Sequence, residues 1–424
     1  MEKDIYKKSR ILYILEAAFE YFINLLLGGA YLAKVTTSLE ISDGVTGIIT
    51  SMVALASTFQ FVAIFLAQKK PVKKWVTIGH SINQLFFAFV YLVPLFNFSK
   101  TVKIVLFITF LMLGEIINQI INAPKINWFL SLVDEKKRGS FTATKERVSL
   151  LGGMVFTFLV GSVMDHYEAI GNTEAAFLFC SIGIIVLMIL HTGTLIFSKE
   201  KAVEVEEQTQ KTKNILSGLV TNKELMRIIL LSCLWKIAVY MSTPFYGTYQ
   251  IKELGFTMVF ISLISAMVSI FRSVISYPIG KLADKSFVSS LKICYLFGGL
   301  AFLLNIFTTP SNGKVFFVLY SLLYAVATAG VENCEMNLAY RAVSEEQRTG
   351  ALALRMAIVG IVGFSTTLLI SPLVMYIQNN GNNFLGLGVY AQQVVSAFSA
   401  FVVGIVLIYL FGNEKRIKKE QTLL

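Results

Sequence analysis

Apolar runs of about 20 residues, parted by short polar breaks, recur along the chain from near residue 12 to near residue 412. A hydrocarbon core about 30 Å thick needs about 20 predominantly apolar residues in a helix that crosses it. On that measure the chain holds about twelve spans, at 12–34, 45–67, 75–97, 104–131, 148–165, 175–197, 226–250, 258–280, 289–309, 315–341, 351–377 and 389–412. The runs are long and continuous, without alternation of period two, so they predict helices and not a barrel. The longest polar stretch, 198–225, is too charged to insert and divides the spans six and six. It predicts a linker between an amino-terminal bundle, 1–197, and a carboxy-terminal bundle, 226–424.

Composition supports this reading. Of 424 residues, 55% are hydrophobic and only 15% charged, against about 25% charged in soluble domains. So few charges cannot cover a soluble fold of this size. The net charge of +11 raises nucleic acid as a partner. Lys and Arg instead gather in short clusters between apolar runs, with no basic patch interleaved with aromatics, so no nucleic acid is expected.

The clusters set an orientation. One side carries Lys3, Lys7, Lys8 and Arg10, then Lys69, Lys70, Lys73 and Lys74, then Lys136, Lys137, Arg138, Lys145 and Arg147, and at the end Lys415, Arg416, Lys418 and Lys419. The alternate loops carry Glu40, Asp43, Asp165, Glu168 and Glu174, or the neutral run from Gln378. The positive-inside bias then places both termini in the cytoplasm, for a monomer in the plasma membrane. The first apolar run follows a charged tail and is too long for a cleavable signal. Cys180, Cys233, Cys294 and Cys334 lie inside apolar runs and read as small buried hydrophobes. His80, His166 and His191 form no ligand constellation in the sequence, so neither a metal nor a cofactor is expected.

An internal repeat decides between architectures. VDEKKRGSFTATKERVSLLGG from Val133 matches VSEEQRTGALALRMAIVGIVG from Val343 at a constant shift of 210. Val133, Glu135, Arg138, Ala143 and Gly153 meet Val343, Glu345, Arg348, Ala353 and Gly363. Lys145 meets Arg355, and Asn127 meets Asn337. GGAYLAK at Gly28 echoes YGTYQIK at Tyr246. Each half has an even number of spans, so the repeat is parallel, with its axis along the membrane normal.

The whole chain resembles the major facilitator superfamily. That family's loop motif, Gly-x-Leu-Ala-Asp-Arg, is matched after the eighth span by GKLADK, with Gly280, Leu282, Ala283, Asp284 and Lys285. The equivalent first-half loop, AQKKPVKK, lacks both the glycine and the aspartate. The resemblance implies an all-α membrane protein of twelve transmembrane helices in two pseudo-symmetric six-helix bundles. It also implies that Asp284 locks a cytoplasmic gate by pairing with helix ends and arginines, Arg348 and Arg355 being the candidates and Arg138 their first-half relative. The alternative for Asp284 is a solvated loop charge.

Charges deep in the spans carry the candidate chemistry. Glu20 lies ten residues past Arg10, about 15 Å in at 1.5 Å per residue. Lys236 lies nine past Arg227 and Glu332 nine before Arg341, each about 14 Å deep, while Glu115 sits midway between Lys103 and Lys125. Such groups cost about 2.5–3.5 kcal/mol on insertion scales and are usually functional. They fall on the first, fourth, seventh and tenth spans, which in facilitator-like proteins line a central cavity. Glu16, Glu20 and Asn24 share one helix face, and Glu115 with Asn118, Gln119 and Asn122 forms a second polar stripe. Lys236 is expected to pair with Glu20 or Glu16 in one conformation. For Lys125 and Glu335, pairs within each half are the alternative to a place at the inner mouth. Arg272 is left between facing the cavity and pairing with Asp284, and Tyr240, Tyr246 and Tyr249 between lining a pore and packing.

No P-loop, filter-like loop or HExxH set occurs, so neither an ATPase, a channel nor an enzyme is expected. The acidic excess among the deep charges favours protons or cationic, amphipathic solutes over organic anions, and so proton-coupled export of a small organic solute. Uptake of a neutral sugar or nucleoside through the amide-rich fourth span is the alternative, as is a receptor that keeps the fold without transport.

Overall fold

The computed structural model describes residues 5–60, 71–134, 137–201, 218–344 and 347–419. The linker expected at 198–225 falls mostly outside them, as do Lys3, Lys69, Lys70, Glu135, Lys136 and Glu345.

The architecture is helical apart from one short antiparallel pair, Asn383–Phe384 with Leu387–Gly388. Helix α1 (Lys7–Leu26) turns at Gly28 and Gly29 into α2 (Gly29–Ser38), with a bend of 44°. Gly29 adopts φ +53, a conformation that disfavours any side chain. Then come α3 (Asp43–Ala56), α4 (Lys73–Leu92), α5 (Lys100–Ser131), α6 (Arg138–Ala169) and α7 (Thr173–Phe197). The chain continues as α8 (Lys223–Tyr240), α9 (Met258–Lys285), α10 (Phe287–Asn305), α11 (Gly313–Arg341), α12 (Arg348–Asn379) and α13 (Ala391–Lys419). Among the described residues ten helices are long and apolar enough to cross a membrane, and the bent α1–α2 pair makes an eleventh. Of the span expected at 45–67, α3 and a 3₁₀ turn (Ser57–Phe59) cover the first part, and residues 61–67 lie outside the described residues.

Several helices outrun the apolar runs that predicted them. The span expected at 148–165 is part of α6, which extends it by polar turns at both ends. Hydropathy marks the part of a helix matched to hydrocarbon, whereas its hydrogen bonds continue into polar residues. At the end of α8, Pro244 lacks an N–H donor, and the helix loosens into a 3₁₀ turn (Thr243–Phe245) and a π turn (Tyr249–Glu253).

The described helices gather into two compact units. One draws on Met1–Ile41, Phe59–Gln208 and Thr257–Leu263, the other on Ser42–Thr58, Thr209–Phe256 and Ile264–Leu424. The division of the chain at 198–225 is therefore crossed twice, once by α3 and once by the first turns of α9.

Small residues and one carboxylate explain the two exchanges. In the second unit α3 lies on α12, where a Cβ on Gly360 would strike the carbonyl oxygen of Ala54 and come within 2.6 Å of Ser57 Oγ. In the first unit Asp165, at the end of α6, accepts the N–H groups of Met258 and Val259 at 2.7 and 2.8 Å. A carboxylate in that place satisfies donors left open at a helix start and meets the positive end of its dipole. Beside it the buried hydroxyls of Tyr31 and Ser262 both donate to the Thr157 carbonyl, at 2.8 and 2.9 Å.

Gly360→Leu is expected to cost about 1–3 kcal/mol through overpacking against backbone that cannot move aside. Gly404→Leu, where a Cβ meets nothing within 4 Å, is expected to leave thermal unfolding in detergent unchanged. Equal unfolding temperatures for the two variants would refute the close crossing.

Candidate functional site

Among the described residues, each unit holds a largely buried cluster of ionised side chains built around one cation. In the first, Glu16 and Glu20 lie one turn apart on α1 and point the same way. Both bind the ammonium of Lys125, which α5 carries beside its internal Pro124. Lys125 Nζ is 2.9 Å from Glu16 Oε1 and also contacts Glu20 Oε2. Glu16 is 0% exposed and Lys125 1%, so neither charge is solvated. From α7, His191 Nε2 reaches the same Glu16 Oε1 at 2.8 Å. His80 of α4 stands edge-on to His191, ring centroids 4.9 Å apart.

The second unit holds a counterpart of opposite arrangement. Arg355 of α12, 2% exposed, spreads its guanidinium over three partners. Nη1 donates to Glu332 Oε1 at 2.8 Å, Nη2 to Glu335 Oε2 at 2.5 Å and Nε to Ser232 Oγ at 2.9 Å. Glu335 also accepts from Ser232 and from Tyr295, each at 2.6 Å. The planar fork of arginine suits such a multiple grip, which a point charge does not offer. At the repeat shift of 210, Lys125 falls on Glu335. The same place in each half thus takes part in a buried ion pair, with the sign of the charge exchanged.

A model of the major facilitator superfamily matches residues 11–367 of the chain. The chain belongs to that superfamily. It is a multi-pass membrane protein of the transporter type, built on the superfamily's all-α fold, and not an enzyme. Among solved structures, a mutant of the nucleoside transporter NupG superposes with a TM-score of 0.75 at 15% identity, over 95% of this chain and 99% of that one. A bacterial homologue of the human lysosomal transporter Spinster, in an inward-facing, unoccupied conformation, gives 0.68 at 13% identity, covering 97% of each chain. A D-xylose–proton symporter gives 0.67 at 13% identity, over 94% and 97%. At these identities the likeness is one of fold. No curated protein matches by sequence.

Within the superfamily fold, the expected site residues separate into several settings. Glu115 is 6% exposed on α5 and has no hydrogen-bond partner among the described residues. Asn118 is buried with Oδ1 unpartnered, Gln119 accepts from Gln60 Nε2 at 2.7 Å, Asn122 is half-buried and Asn24 is exposed. Glu16 and Glu20 have Lys125 of their own unit as partner, and Lys236 Nζ sits 4.5 Å above the Tyr240 ring. For Lys125 and Glu335 the contacts are those of pairs within each half.

The gate residues need two corrections. Asp284 does not lie in a loop between spans, because α9 continues through the GKLADK motif and ends at Lys285. There Asp284 is exposed and forms no ion pair among the described residues. Arg355, proposed as its partner, is committed to Glu332, Glu335 and Ser232. Gly280 is exposed with no neighbour near its Cβ position, Arg348 and Arg272 are exposed, and Arg138 donates from Nε to the Leu130 carbonyl at 3.3 Å. Tyr246 and Tyr249 are packing residues, their hydroxyls bonded to Asn305 and to the Thr308 carbonyl.

The histidines are a third correction. His80 and His191 do converge, although 111 residues separate them, because α4 and α7 pack side by side. Ser232, Tyr295 and His191 escaped the sequence reading for the same reason. Each is an ordinary member of an apolar run until a neighbouring helix brings a charge to it.

Proposed function

We propose that the protein is a proton-coupled secondary transporter of a small, uncharged polar solute, working by alternating access in the plasma membrane with both termini cytoplasmic. The observation that carries this reading is Glu115. A carboxyl group buried on a membrane helix, unpartnered among the described residues and close enough to Glu20 to feel its charge, is a site where a proton can be taken and released. The basic clusters of the sequence support the orientation.

The solute class follows from the charges already spent. Glu16 and Glu20 are tied to Lys125, and Glu332 and Glu335 to Arg355. The acidic excess that favoured export of a cation is thereby reduced, since one carboxylate of each pair is compensated inside its own unit. What α5 keeps available is amide chemistry, from Asn118 and Gln119 beside Glu115, which suits the hydroxyl and ring groups of a sugar or nucleoside. The comparison structures of a nucleoside transporter and a D-xylose–proton symporter are consistent with such a solute.

Ligand-induced thermal stabilisation across nucleosides, sugars and cationic drugs selects the solute, and uptake into proteoliposomes under an imposed pH gradient then tests the coupling. Glu115→Gln and Glu20→Gln are each expected to abolish accumulation driven by the gradient. Undiminished, pH-independent accumulation in both variants rules the mechanism out, and stabilisation by cationic drugs alone restores the export reading.

A further inference from the structure

We infer that Glu16, His80 and His191 form a binding site for one divalent transition-metal ion, with zinc as its representative, inside the first unit. The three side chains come from α1, α4 and α7, and each offers one ligand atom, all within 4.8 Å of one another. All three residues are 0% exposed. Both ring nitrogens of His80, Nδ1 of His191 and Oε2 of Glu16 have no hydrogen-bond partner. Leaving one buried polar atom unpaired costs about 1–3 kcal/mol, and folded proteins leave few of them. Four such atoms on three touching side chains mark a place built for another partner.

The donor set says what that partner is. Two neutral imidazoles and one carboxylate form a ligand set that zinc takes. Metal–ligand distances of about 2.0–2.2 Å bring ligand atoms to within about 4 Å of each other, so the three atoms need to draw in by roughly 1 Å. Charge points the same way. Lys125 balances only one of the two carboxylates it touches, and a cation held by Glu16 Oε2 compensates the other. Lys125 remains on Oε1 and on Glu20, so a carboxylate separates the ammonium from the metal. An ion in this position ties three helices together and braces the first unit. This inference is independent of what the protein transports.

The test is metal content and its effect on stability. The full chain, carrying an affinity tag free of histidine, is produced in zinc-supplemented medium and analysed by plasma mass spectrometry. About one zinc per chain is expected, with His80→Ala and His80→Gln retaining less than about a fifth of that, since loss of a direct ligand removes most of the affinity. His166→Ala, which alters an exposed histidine, is expected to keep the full amount. Stripping with a membrane-permeant chelator is expected to lower the unfolding temperature of the native chain by several degrees and to leave His80→Ala unmoved. His80 makes no hydrogen bond, so its loss by itself removes no protein contact of that kind. Equal zinc in the native chain and His80→Ala, or a native chain with no zinc and no response to the chelator, overturns the site.

Discussion

Lys125→Met is expected to lower the unfolding temperature of the detergent-solubilised protein by on the order of 10 °C. The lysine is 1% exposed and is the cation that Glu16 and Glu20 share. Removing it leaves two carboxylates facing each other, and stripping one partner from a buried ion pair typically costs about 3–5 kcal/mol. The lost stability comes from abandoned charges and not from lost bulk, because methionine fills nearly the same volume. Lys125→Met combined with Glu16→Gln and Glu20→Gln is therefore expected to recover most of the loss, a neutral set being cheaper to bury. A triple variant no more stable than Lys125→Met would show that the lysine acts by packing.

Arg355→Met is the second large effect, expected at about 3 kcal/mol. Its cost rests on Glu335, which is 1% exposed and keeps only the hydroxyls of Ser232 and Tyr295 when the guanidinium goes. Glu332 contributes little, since its side chain is 70% exposed. The two carboxylates thus predict different outcomes. Glu335→Gln is expected to unfold at a clearly lower temperature, and Glu332→Gln within about 1 kcal/mol of the native chain. Arg355→Lys is expected to recover part of the loss, because an ammonium replaces the charge without the three-way grip. Equal effects from Glu332→Gln and Glu335→Gln would contradict the assignment of Glu335 as the buried anchor.

An expected depth for Glu20, Glu115, Lys236 and Glu332 was readable from helical rise alone. Their partners were not. Depth depends on counting residues along one helix, whereas pairing depends on which helices are neighbours and how each is rotated. Lys125 stayed open between the inner mouth and a pair within its half, because nothing along the chain joins it to Glu16, 109 residues away. Asp284 was misplaced for a related reason. Hydropathy ends a span where the residues turn polar, and α9 continues for five residues beyond the predicted end at 280. Asp165 was counted only as an outside-loop charge, and its service as the cap of α9 depends on α6 ending beside it.

By itself the sequence determined the class of the protein, the helical spans and the pairing of two similar halves. Bilayer thickness sets span length, and a repeat at constant shift implies repeated structure. Only the tertiary structure decided that α3 and the start of α9 pack outside their own halves, that Lys125 and Arg355 each bind two of the acids around them, and that His80 meets His191 at Glu16. Those outcomes depend on close approach between helices, down to the bare backbone of Gly360 against Ala54. Apolar patterning governs which residues are buried, and helix packing governs which of the buried groups touch.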